Sequence, residues 1–148
     1  MLSKLQHSVV LLLLGCLMLS IGCAAQACKS PEGWIQLDAE NSAKTLLPLN
    51  SVSIDLDREN IPMGEPFSFT LQLCQSGNTA IQRITATAIM PAHLHGMNYS
   101  PEVKKITSQP VQYWVEGFLF HMPGVWKITV SITVSYATKY YSTEVTVK

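Results

Sequence analysis

From Trp126 the chain alternates for ten residues: Trp126, Ile128, Val130, Ile132 and Val134 take every second place, and Lys127, Thr129, Ser131, Thr133 and Ser135 fall between them. Side chains of an extended strand point alternately to opposite faces, whereas a helix returns to one face every three to four residues. This stretch can therefore dry one face only as a strand. A half-dry strand needs neighbours of the same pattern and a layer to cover them. Val52, Ile54 and Leu56 alternate with Ser51, Ser53, Asp55 and Asp57, and Phe67, Phe69, Leu71 and Leu73 alternate with Ser68, Thr70 and Gln72. Ile84 to Met90 repeats the pattern with small alanines on its core face and is stopped by Pro91. A further strand is expected around Tyr113 to Val115, continuing to Phe120 after a kink at Gly117, and a last one carries Tyr141, Thr143, Val145 and Val147. Turn residues fill Arg58 to Pro66, where two prolines exclude a central strand, and Gln75 to Asn78. No window carries a helical period, so residues 51–148 are expected to form an all-β, immunoglobulin-like antiparallel β-sandwich. Residues 28–50 lack a sustained period and read as an irregular N-terminal arm.

Residues 1–27 have the three-part layout of a secretory signal: a polar start with Lys4 and His7, an apolar run to Gly22, and small residues to Ala27. The run is shorter than the roughly 20 residues of a membrane span. Two cleavage chemistries compete. Ala25-Gln26-Ala27 suits an ordinary signal peptidase, whereas Ser20-Ile21-Gly22-Cys23 resembles a lipoprotein box whose first position departs from the usual Leu. Acylation of Cys23 would tether the domain by lipid, and in either case the protein is expected in the periplasm or cell envelope.

Removing the signal leaves roughly 120 residues, enough for one core. Of ten Lys and Arg only Lys4 lies in the signal, against ten Asp and Glu, so the mature charge is close to neutral and carries no footprint for nucleic acid or an acidic membrane. With 47% apolar and 14% charged residues, a packed domain is expected. Cys16 lies in the signal, and Cys28 and Cys74 are left to pair as a disulfide that persists in an oxidising compartment.

The mature histidines fall in two short segments, Met90-Pro-Ala-His-Leu-His-Gly-Met97 and Phe120-His-Met-Pro-Gly124. In an extended segment His93 and His95 would face the same way, with Leu94 turned into the core and Gly96 letting Met97 fold back. Met90, Met97, His121 and Met122 add further imidazole and thioether. Imidazole suits Cu(II) and other divalent ions and thioether selects Cu(I), so the mixture points to copper ahead of zinc. The competing use of the same residues is structural: histidines bonded to loop carbonyls and methionines filling core gaps. Asp55 and Glu116 stand as isolated carboxylates, Ser100 has no motif around it, and there is neither a phosphate loop nor a nucleophile elbow. The chain is read as a non-enzyme.

The strings MPAHLHGM, SPEV and YWVEGFLFHMPGVWKITVSI resemble the YtkA-like, or FixH-like, domain of exported bacterial proteins. The resemblance covers roughly Val52 to Val134 and implies an immunoglobulin-like sandwich outside the cytoplasm, often in a copper or respiratory-chain setting. It places His93 and His95 at the His-x-His positions, Met97 after the glycine and Met122 at the methionine near the strand turn. Pro123 departs from the pattern. Two functions are expected to compete: an exported or lipid-anchored copper-binding domain in copper handling or respiratory-complex support, and an envelope adaptor that docks another protein through a structural His-x-His turn without metal.

Overall fold

In the computed structural model, which describes residues 28–40, 49–75, 80–108 and 110–148, the alternating segments become ten strands. These are β1 (Ile35–Gln36), β2 (Asp38–Glu40), β3 (Leu49–Leu56), β4 (Pro66–Gln75), β5 (Ile81–Met90), β6 (His95–Gly96), β7 (Glu102–Ser108), β8 (Val111–Leu119), β9 (Gly124–Val134) and β10 (Ala137–Val147). The signal segment and Cys23 lie outside the described residues. Two sheets form, ordered β1-β3-β4-β8-β7 and β2-β10-β9-β5-β6, and neighbouring strands pair antiparallel. Taking β3, β4, β8 and β7 as A, B, E and D, and β10, β9, β5 and β6 as G, F, C and C′, gives the two-sheet order of an immunoglobulin sandwich. No helix occurs among the described residues.

The inner faces follow the sequence pattern. Phe67, Phe69, Leu71 and Leu73 of β4 meet Trp126, Ile128, Val130 and Ile132 of β9, all withdrawn from water. Each such side chain contributes roughly 1.5–3 kcal/mol by burial. Ala86 and Ala88 leave room on β5 for these larger neighbours. At one end Phe120 stacks on Trp126, with centroids 4.5 Å apart and rings 13° from parallel.

The arm is more ordered than its composition suggests. β1 pairs with β3 at the edge of one sheet and β2 with β10 at the edge of the other. Between them Leu37 is buried, and its N–H donates to the Val52 carbonyl at 2.9 Å. A single buried leucine flanked by two- and three-residue pairings leaves no period to detect. Cys28 is joined to Cys74 by a disulfide that fixes the start of the arm to β4.

Two strands escape a pattern reading. β7 is an edge strand exposed along most of its length, so burial imposes no alternation on it, and its Lys104 and Lys105 discourage pairing with another chain. β6 has only two residues and is defined by its pairing with β5. The expected kink at Gly117 is a bulge: Phe67 pairs with Phe118 and Ser68 with Glu116, leaving Gly117 unpaired at φ 90°.

One end of the sandwich gathers three connections. The β3–β4 segment reaches Phe120 through a Met63–Phe120 bridge, the β5–β6 turn leaves Met90, and the β8–β9 corner contains His121. Cys74 lies at the opposite end of β4.

Candidate metal centre

The expected His93–His95 pair does not form. Met90 pairs with His95, so residues 91–94 must reverse the chain. The His93 N–H donates to the Met90 carbonyl at 3.1 Å, and Leu94 adopts φ 50°. With the backbone turned, the rule that residues two apart share a face no longer applies. Leu94 is 87% exposed, not buried in the core. Nor does Gly96 fold the chain sharply: it belongs to β6, and the Met97 N–H continues the ladder to the Ala88 carbonyl at 3.2 Å.

His95 meets His121 instead. Their Nε2 atoms stand 2.7 Å apart, with ring centroids at 4.8 Å and planes 70° apart. Residues directly opposite in an antiparallel pair project to the same face, so His95 shares the inner face with buried Met90. His121 comes from the β8–β9 corner that crosses between the sheets, one residue after buried Phe120. The two imidazoles thus close one end of the sandwich above the Phe120–Trp126 stack, and the His121 ring lies edge-on to Trp126 at 5.6 Å. The corner is braced because the Trp126 Nε1–H donates to the Met122 carbonyl at 3.0 Å.

The methionines named from sequence surround the pair at different depths. Met90 is 2% exposed, while Met97 and Met122 are partly buried and pack against the core. His93 is exposed, and among the described residues no group of three or more His, Cys, Asp and Glu side chains assembles. The side chains nearest this pair in sequence that could add a further soft donor are the thioethers of Met90, Met97 and Met122. Neither histidine segment contains Asp, Glu, Lys or Arg, so these two connections offer uncharged soft and borderline donors.

Glu116 is not isolated as the sequence suggested. The Lys104 ammonium at 2.6 Å and the Trp114 indole N–H at 3.1 Å hold its carboxyl below the ordinary carboxylate value. That arrangement favours an ionised surface group over a proton donor.

Reading along the sequence missed the His95–His121 contact because it lies across 26 positions and between separate connections of the fold. A topological signal was available. In an immunoglobulin order the C–C′ and E–F connections share one end, and each histidine segment occupies one of them. Met63 was also overlooked, since its turn-rich segment showed no ligand spacing. Comparison with family models, with curated proteins and with solved structures finds no match to this chain.

Proposed function

We propose that this protein is an exported or lipid-anchored copper-binding domain, with His95 and His121 as its nitrogen ligands and thioether supplied by the surrounding methionines. The observation that carries the reading is the Nε2–Nε2 approach of 2.7 Å between β6 and the β8–β9 corner. Two nitrogen lone pairs aimed at one point need a proton between them, and a metal ion can take that proton's place. Nitrogens bound to one ion at about 2.0 Å stand roughly 3–4 Å apart, so the rings need to separate by only about 1 Å. His121 is exposed and leaves room for that movement.

The donor set favours copper. Imidazole with thioether, and no third His, Cys, Asp or Glu grouped with them among the described residues, suits copper better than zinc. The Cys28–Cys74 disulfide fits an oxidising envelope compartment, and the likeness of the histidine strings to YtkA-like domains points to copper handling or respiratory-complex support. Titrating the purified exported protein with Cu(II), and anaerobically with Cu(I), tests the reading. One ion per chain, lost in His95→Ala and in His121→Ala, is expected; a protein that takes up no copper contradicts it.

A second reading draws on the same distance. A contact of 2.7 Å is also a strong hydrogen bond, and a clasp between β6 and the β8–β9 corner would serve an adaptor that docks an envelope partner without metal. On that reading His121→Ala lowers stability and leaves no copper effect to measure.

A further inference from the structure

Methionine placement goes beyond what two histidines require. Of six methionines, Met1 and Met18 belong to the leading segment, and the other four all lie at the histidine pole. Met90 opposes His95, Met97 follows it by two residues, Met122 follows His121, and Met63 is bridged to Phe120. Gap filling places methionine wherever a core is irregular, yet of these four only Met90 belongs to the buried core.

Met63 differs from the other three. Its side chain is 52% exposed, whereas Met97 and Met122 pack on the core and the Met90 methyl is wedged 3.2 Å from the position of a Gly124 Cβ. Its backbone is nonetheless held by the bridge to Phe120, in which the neighbouring Gly64 N–H donates to the Phe120 carbonyl at 2.7 Å. Gly64 takes φ 75°, a left-handed turn that glycine allows without strain. The β3–β4 connection is thereby pinned one residue from His121, with an unbranched thioether free to swing without opening the core. Bridged Cα atoms are about 5 Å apart and adjacent ones about 3.8 Å, which keeps the Met63 and His121 Cα atoms within about 9 Å of each other.

We propose that Met63 is a copper ligand, its Sδ joining His95 and His121 on Cu(I) from a third connection of the fold. This rests on the copper reading above and adds an oxidation-state preference to it: the imidazoles hold Cu(II) alone, and Met63 raises affinity for the softer Cu(I).

The test uses Met63→Leu in the purified exported protein, a swap of similar volume at an exposed position, with circular dichroism confirming the fold. Cu(I) affinity is measured anaerobically by competition with a chromophoric chelator, Cu(II) affinity in parallel, and X-ray absorption reports sulfur bound to Cu(I). The expected result is a loss of roughly tenfold or more in Cu(I) affinity, a diminished sulfur shell, and Cu(II) affinity within about twofold of the parent. Unchanged Cu(I) affinity with the sulfur shell intact overturns the role of Met63 while leaving the histidine site standing. Sulfur lost in Met122→Leu or Met97→Leu but kept in Met63→Leu overturns it too. A parent protein that binds neither oxidation state removes this inference and the copper reading together.

Discussion

Gly124 takes φ 126°, and a Cβ there would stand 3.2 Å from the Met90 methyl. Gly124→Ala therefore strains the backbone and presses on the side chain beneath His95. It is expected to cost about 1–3 kcal/mol, read from the midpoint of chemical denaturation. His93→Ala is a contrasting change, because His93 is exposed and belongs to a turn whose backbone bond survives the substitution. Stability within about 0.5 kcal/mol of the parent is expected, with copper affinity unaltered. The sequence identified the histidine segments and most of their methionines as the chemically unusual part of the chain. The extended backbone expected for His93-Leu94-His95 is instead a turn at residues 91–94. A spacing rule holds only for a stated backbone, and Pro91 four residues before His95 already marked a turn.

Among the elements, β9 was legible in full, since each of its inward residues lies between two sheets. β7 was not, because an edge strand answers to hydrogen bonding and leaves little trace in hydropathy. Trp126 links β9 to the site through its stack on Phe120 and its bond to the Met122 carbonyl. Trp126→Phe keeps an aromatic ring but leaves that carbonyl without its donor. A loss of roughly 1–3 kcal/mol is expected, together with weaker copper binding as the His121 corner loosens, both measurable on one purified variant. On the outer face, Glu40 of β2 pairs with Lys127 of β9. Hydrogen bonds from Lys127 and Ser142 hold the Glu40 carboxyl below its ordinary value of 4.5, outweighing the opposing effect of burial. A carboxyl depressed in the folded state adds stability above its unfolded value, and that stability disappears as pH falls through the folded one. Glu40→Gln should therefore flatten the acid limb of the stability curve below about pH 5, by less than about 1 kcal/mol because the pair is partly solvated. An acid limb as steep as the parent's would assign the slope to other carboxylates.

At the scale of the molecule, the fold separates its covalent fastening from its candidate chemistry. The disulfide closes a loop of 46 residues at the end of β4 away from the histidines. Loop-closure entropy for that length corresponds to about 4 kcal/mol. Replacing Cys28 and Cys74 by serine should lower stability by a large part of that amount while leaving copper affinity near the parent value. The sandwich and this pairing were legible because alternation and cysteine number constrain them strongly. The end-to-end arrangement was not, because it depends on which connections share a pole. On the copper reading the ligand pair joins β6 to the β8–β9 corner, His95 to His121, and is not the sequence neighbours His93 and His95. Copper titration of the parent protein beside His93→Ala, His95→Ala and His121→Ala tests it directly. His93→Ala is expected to bind as the parent does, while the other two lose specific binding and stay folded. Loss of copper in His93→Ala with full binding in His121→Ala would contradict it.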